Sequence, residues 1–370
     1  MILTTIVIFV FILGILVFVH ELGHYFAAKK SGMDVEEFGF GFPPRLFGIK
    51  KGGTIYSINW IPIGGFVKIA GEDGGEVQNP RAFANQTFLK RFITLIAGVT
   101  MNIIFAWFVV MIAMGLGLPT VISEGDVLPT SAKVDEPFVV FREVLADSPA
   151  QAAGFKTGDS IKSINGEPIE TVEDIQKLTQ ENLGKETKYV ATRGNETIEA
   201  TIVPRVSPPE GQGPMGVSLA TVANVSYPWY ELPFRAVGAT YNVIHQTVSA
   251  FGTILGQWFS GENVSAQLSG PVGIAVLTRD VAQLGFIYLL QFTAVLSINL
   301  AVINAIPFPA LDGGRILFLV IEKIRGRKLP ETAEQIANTV GFGLLILLMV
   351  FVTVKDFGRF DIIQKITNLF

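Results

Sequence analysis

The placement of charge constrains this chain more than any other feature. Residues 2–19, 92–118, 281–311 and 335–354 contain no Asp, Glu, Lys or Arg. A helix rises 1.5 Å per residue, so about 20 mostly apolar residues cross the hydrocarbon core of a bilayer. Each run is long enough. Backbone polar groups inside a bilayer must be satisfied within the structure, so lone runs of this kind fold as helices. The expected fold is a polytopic α-helical membrane protein with four transmembrane helices. Only 16% of the 370 residues are charged, against about 25% in a soluble domain. The net charge of −4 leaves no basic footprint for a nucleic-acid partner. Cysteine is absent, which excludes disulfides, thiolate metal ligands and a cysteine nucleophile.

Charge also predicts orientation. Residues 29–91 carry nine basic and six acidic groups, whereas 119–280 carry 11 basic and 19 acidic ones. Arg315, Lys323, Arg325, Arg327 and Lys328 lie between the last two runs. Basic flanks of short loops stay cytoplasmic, and long domains translocate largely regardless of charge. The N-terminus is therefore expected outside, 29–91 in the cytoplasm, 119–280 outside and 312–334 in the cytoplasm. The first run lacks a positive start and a small-residue cleavage site, so it reads as a retained span rather than an export signal.

The end of that first run carries chemistry. The stretch "FVHELGHYF" places His20 and His24 four residues apart, on one helix face, where both can ligate one metal ion. Glu21 adjoins that face and can take a proton from an attacking water. Ionisable groups inside a membrane helix read as functional. His20 precedes Lys29 by roughly 13 Å of helix, so the motif sits near the cytoplasmic face, where a water-filled pocket reaches it. A hydrolytic zinc needs a third protein ligand and one open position. The one other histidine is His245, so a carboxylate is expected. The stretch "INAIPFPALDGGR" supplies Asp312 at matching depth. Pro307 and Pro309 break the helix there, and Gly313 and Gly314 permit unusual backbone. Broken backbone at membrane depth lines a cavity or is buried in protein. The alternative for Asp312 is a helix-terminating Asp-Gly turn.

HELGH at 20–24 together with NAIPFPALDGG at 304–314 resembles the site-2 protease family of intramembrane zinc metalloproteases. The resemblance implies that His20, His24 and Asp312 bind Zn2+ and that Glu21 is the general base. It further implies that Asn304 holds the substrate backbone. "GVTMN" at 98–102 is similar to the second core helix of the family, which makes Asn102 a second candidate substrate contact. A helix–helix hydrogen bond is its alternative. "GFGFPPRLFG" (39–48), "IPIGGFVKIAGE" (61–72) and "LSGPVGIA" (268–275) resemble the regulator of sigma-E protease branch.

Residues 36–69 alternate like strands, with a turn at Gly52-Gly53. A cytoplasmic, membrane-associated β-hairpin region is expected. Its edge, at Gly39–Phe42 or Phe66–Ile69, is a candidate to pair with substrate backbone; a hairpin that only seals the cytoplasmic mouth is the alternative. Residues 138–205 read as a small α/β module. Ser148 caps a helix "PAQAA", "SIKSI" is a strand, Asn165-Gly166 a turn, and Thr171 caps the helix "VEDIQKLTQEN". A hairpin turning at Gly194-Asn195 closes it. The string "SPAQAAGFKTGDSIKSINGEPI" resembles a single PDZ domain, whose groove is expected to include 213–219. Such a module binds a peptide or protein ligand, or filters substrates by size. Run 236–261 also lacks charge, but a fifth crossing would put Asp312 on the wrong face, so an amphipathic interfacial helix is expected. His245 then lies on its polar face.

The expected order is a span with the histidine motif (1–28), the cytoplasmic hairpin region (29–91) and a second span (92–118). An extracytoplasmic segment with the PDZ domain (119–225) and amphipathic interfacial helices (226–280) follow. A third span with the acidic motif (281–314), a cytoplasmic loop (315–334), a fourth span (335–354) and a tail (355–370), read as an interfacial helix, complete it. The implied activity is a zinc endopeptidase of the bacterial inner membrane. Its expected partners are a membrane-protein substrate helix, a PDZ ligand and the lipid bilayer. An inactive PDZ-binding scaffold and a metal transporter are the rivals; an intact Glu21 argues against both.

Overall fold

The computed structural model describes residues 2–72, 78–123, 125–126, 128–262 and 269–359. Its helices are α1 (Ile2–Lys30), α2 (Phe88–Leu116), α3 (Pro149–Ala152), α4 (Val172–Glu181), α5 (Leu232–Phe259), α6 (Pro271–Leu284), α7 (Phe286–Ala305), α8 (Asp312–Arg325) and α9 (Glu331–Arg359). The chain divides into two compact units: Met1–Val109 with Val237–Thr278 and Thr293–Phe370, and Val110–Ala236 with Arg279–Phe292.

The first unit is helical and contains one hairpin. Among the described residues, four helices are long and apolar enough to cross a membrane: α1, α2, α7 and α9. α5 is not one of them, and His245 on it is exposed. The uncharged run 281–311 is not a single span. α6 ends at Leu284, Gly285 takes φ 128°, and α7 starts at Phe286. α7 stops at Ala305 because Pro307 and Pro309 lack the N–H a helix needs. Asp312 then opens α8 rather than closing a turn, which corrects the expected third span 281–314. The expected loop 315–334 is largely the amphipathic helix α8, with Leu319 buried and Lys323 and Arg325 in its last turn. The expected tail contributes 355–359 to α9; the rest of it lies outside the described residues.

The hairpin consists of β1 (Val35–Lys51) and β2 (Thr54–Ile69), turning at Gly52 and Gly53 with φ 58° and 84°. Both strands bend. Phe38 pairs with Val67 on one side and Tyr56 on the other, and Gly39 pairs with both Phe66 and Ser57. Farther along, Phe47 pairs with Ile58. The register therefore sets four segments side by side in the order 65–69, 35–40, 54–61, 45–51. Gly39 and Phe40 lie in an inner segment, paired on both sides, while 65–69 is an edge. This corrects Gly39–Phe42 as a candidate free edge. α1 lies against the sheet: Gly64 backs onto Val17, Phe18 meets Phe38 and Phe40, and the Tyr25 hydroxyl is 2.6 Å from that of Tyr56. Toward the bends at 41–45 and 61–64 the hairpin exposes Phe42, Phe47, Ile58, Trp60 and Ile63, an apolar surface that suits a lipid surface better than water.

The second unit is built on an eight-stranded sheet. Its strands are β3 (Leu118–Val121), β4 (Lys133–Val134), β5 (Phe138–Val144), β6 (Ser160–Ile164), β7 (Glu167–Pro168), β8 (Thr187–Arg193), β9 (Glu196–Ile202) and β10 (Val217–Ser226). The main order is β3-β10-β5-β6-β8-β9. The local signals read from sequence are all realised. The Ser148 hydroxyl accepts from Gln151 N, and Thr171 and Asp174 form a capping box at α4. Asn165 and Gly166 turn with positive φ, as does Gly194. Phe141, Phe155, Ile161, Ile164, Ile175 and Tyr189 form the core. Buried Asp159 takes a two-pronged ion pair from Arg193 Nε and Nη2, at 2.6 and 2.7 Å.

Candidate metal centre

The site begins with a glycine. Gly23 sits inside the histidine motif on α1, where a Cβ would stand 2.9 Å from Met101 Cβ and closer still to the Ala97 carbonyl. Only a residue without a side chain lets α2 approach this closely. The approach brings Thr94, Gly98 and Asn102, which share one face of α2 at four-residue spacing, against the two histidines. A Cβ on Gly98 would lie 2.8 Å from His20 Nε2 and nearer to His24 Nε2. His24 Nδ1 is 2.7 Å from the Thr94 carbonyl oxygen. A carbonyl can only accept, so Nδ1 carries the proton and neutral His24 presents a bare lone pair at Nε2. The Asn102 amide end, whose nitrogen and oxygen exchange on a half-turn, is 3.3 Å from His20 Nδ1. With the oxygen turned to it, Asn102 fixes the same tautomer at His20. Ser297 on α7 donates to the Asn102 carbonyl oxygen at 2.8 Å.

The third group arrives from α8. Gly313 and Gly314 fold tightly under the 305–309 backbone; a Cβ on Gly314 would lie 2.9 Å from Pro309 N and closer to the Phe308 carbonyl. This turn aims Asp312 at the histidines. Asp312 Oδ2 is 2.9 Å from His20 Nε2 and 3.3 Å from His24 Nε2, and the two Nε2 atoms are 3.2 Å apart. Oδ2 is buried and has no well-formed hydrogen bond. Three lone-pair atoms facing one another without a shared proton repel unless a cation lies among them. Tetrahedral ligands about 2.0–2.1 Å from zinc stand roughly 3.3 Å apart, which the three separations match. The set of two imidazoles and one carboxylate suits zinc with a position left open. Among the described residues this is the one cluster of its kind.

Glu21 lies beside the cluster on α1. Its Oε2 accepts a hydrogen bond from Val67 N at 3.1 Å, and Val67 belongs to the edge segment 65–69. The carboxylate is thus held between the ligand set and an edge of the hairpin. Asn304, in the last turn of α7, is half-buried, with no side-chain hydrogen bond among the described residues. Asn102, by contrast, is fully buried and bonded to a ligand ring. That geometry favours the alternative expected for it, a hydrogen bond between helices, since Asn102 reaches His20. Sequence reasoning missed Thr94 and Gly98, although the spacing 94, 98, 102 puts both on the Asn102 face. The second unit holds its own cleft of about 440 Å³ between α4 and the start of β10, lined by Val172, Ile175, Thr179, Met215, Val217 and Leu219. It includes part of the expected 213–219 stretch.

Residues 8–348 match Peptidase family M50. A Clostridium acetobutylicum protein, provisionally named a zinc metalloprotease, is 38% identical over 355 residues, covering 95% of this chain and 96% of the relative. The regulator of sigma-W protease RasP of Bacillus subtilis is 31% identical over 444 aligned positions, covering 97% of this chain and 99% of RasP. The zinc metalloprotease RasP of Geobacillus kaustophilus is equally similar, at 31% with 97% and 99% covered. Among solved structures, the PDZ domain of an SdrC-like protein from Listeria monocytogenes aligns with 24% of this chain and 92% of its own, at 23% identity and a TM-score of 0.21.

Proposed function

The chain belongs to peptidase family M50, the site-2 protease group of membrane-embedded zinc metalloproteases, and from that premise we propose that it cleaves transmembrane segments of other membrane proteins at the centre formed by His20, His24, Asp312 and Glu21. The observation that carries the assignment is the convergence of three lone-pair atoms within 3.3 Å of one another, beside one further carboxylate. His20, His24 and Asp312 hold the metal. When bound, zinc supplies Lewis-acid chemistry, polarising a carbonyl and acidifying water. Glu21 takes the proton of the attacking water and returns one to the leaving nitrogen. Thr94 and Asn102 keep both imidazoles in the ligating tautomer.

A substrate helix hides its carbonyls in its own hydrogen bonds, so it must be unwound before cleavage. The edge 65–69 runs beside Glu21, with Val67 N given to that carboxylate, and an extended substrate strand pairs with the other outward backbone groups along it. Asn304, whose amide has no hydrogen-bond partner among the described residues, adds a contact to the substrate backbone. The charge count supports a hairpin and α8 on the cytoplasmic side and the sheet unit outside, with α5 and α6 at the outer interface. The bacterial relatives support an inner-membrane location. The name of the Bacillus subtilis relative, a regulator of sigma-W, supports anti-sigma factors as one substrate class; remnant signal peptides are the other class that the family resemblance implies. The cleft beside α4 supports a PDZ role, holding a peptide strand or excluding bulky substrates.

The test is cleavage of a tagged single-span substrate in liposomes by wild type and Glu21→Gln, with bound zinc assayed in both. The expected result is a loss of roughly 10²–10⁴-fold in cleavage with zinc retained. Unchanged cleavage by Glu21→Gln would overturn the mechanism.

A further inference from the structure

The segment 306–311 joins α7 to Asp312, and its backbone is unusual. Pro307 and Pro309 have no N–H to anchor. Ala310 adopts φ 74°, a left-handed conformation that a residue with a Cβ rarely takes. Leu311 precedes α8 without a side-chain cap. The turn's own hydrogen bonds are few: Phe308 N donates to the Ile306 carbonyl and Leu311 N to that of Phe308. Strained backbone of this kind persists only when its surroundings hold it.

α9 supplies the hold. Ala310 N donates to Asn338 Oδ1 at 3.0 Å, the one side-chain hydrogen bond onto 306–311 among the described residues. One turn along α9, Gly341 lies so close to Pro309 that a Cβ there would stand 2.5 Å from its carbonyl oxygen and 2.8 Å from its Cβ. Asn338 and Gly341 are three residues apart and share a helix face. An asparagine in a helix apolar enough to span a membrane is rarely idle. The polar group and the missing side chain thus meet the two residues that come just before Leu311 and Asp312.

We propose that Asn338, with Gly341, is a positioning residue for the metal centre: α9 clasps the 309–310 backbone and so fixes the direction in which Asp312 presents its carboxylate. Asn338 touches neither metal nor substrate. It acts through Ala310, two residues from the carboxylate, as outer partners of a metal site orient the groups that bind it. The inference rests on Asp312 being the third ligand.

The experiment uses the full-length protein in detergent. Zinc release to a chelator, the visible absorption of the cobalt-substituted protein, and kcat and KM for a single-span substrate are compared across variants. Asn338→Leu removes the acceptor at similar volume and is expected to speed zinc release about 10-fold. It also shifts the cobalt bands and lowers kcat while leaving KM within about two-fold. Asn338→Asp keeps an acceptor oxygen in place and is expected to restore the wild-type cobalt spectrum. Gly341→Ala pushes on Pro309 from the other contact and is expected to move the same readouts, so it carries the test if Asn338→Leu does not fold. Asp312→Asn separates the two levels of the argument. If it keeps wild-type zinc affinity, the ligand assignment falls. If it loses zinc while Asn338→Leu and Gly341→Ala keep the wild-type release rate and spectrum, the clasp alone is overturned.

Discussion

The two units differ in where many of their large apolar residues go. In the sheet unit, Phe141, Phe155, Ile161, Ile164 and Tyr189 are inside. In the helical unit, Leu3, Phe11, Leu347 and Phe351 face outward, while His20, His24, Thr94, Asn102, Ser297 and Asp356 are buried. Water drives the first arrangement, because burying large apolar groups removes them from solvent. In lipid that drive between helices vanishes, and close approach depends on small residues and hydrogen bonds. The helical unit follows that rule at Gly23 against Ala97, Gly98 against the histidines, and Gly270 and Gly273. The N–H groups of those last two glycines donate to buried Asp356 at 2.9 and 2.7 Å. The lesson is that a methyl group added in the helical unit should do what a ring removed does in the sheet unit.

The largest effect tests that statement directly. Gly98→Ala places a carbon on the ligand atoms, so near-complete loss of zinc and of cleavage is expected, measured by metal analysis of the purified protein. Retained zinc would break the comparison. Phe141→Ala in the sheet core is expected to lose about 3–5 kcal/mol of that unit's stability, read by denaturant titration of a near-ultraviolet signal, with zinc content unchanged. Zinc lost alongside would mean that the metal centre depends on the sheet core. Val67→Pro removes the edge N–H that holds Glu21 and is expected to slow cleavage about 10-fold without releasing zinc, because the hairpin then no longer positions the carboxylate. An unchanged rate would leave the hairpin with only a sealing role. Thr171→Ala, which deletes the capping box of α4, is expected to cost about 1 kcal/mol. It sharpens the contrast from the small side, since a surface cap in water should leave both zinc and cleavage as they are.

Some of this was legible before any coordinates. Helices form where charge is absent, caps and turns form where Ser148, Thr171 and Asn165-Gly166 stand, and His20 and His24 share a face because a helix has a period of 3.6 residues. These are local consequences of side-chain chemistry, and the sequence determines them by itself. The third metal-binding candidate was also found, through the break that Pro307 and Pro309 impose. What lay beyond reach depends on which backbone meets which. Asn102 looked like a substrate contact until α2, admitted by Gly23, put it on His20. Gly39 and Phe40 looked like a free edge until the bent strands paired them on both sides. Asp312 looked like the end of a span, whereas the fold makes it the start of α8, beneath a backbone turn that two glycines permit. Periodicity and composition record what each residue prefers near its own position. Only the tertiary structure decides which distant carbonyl, edge or ring fills the space a glycine leaves, because that partner is separated from it by tens to hundreds of residues.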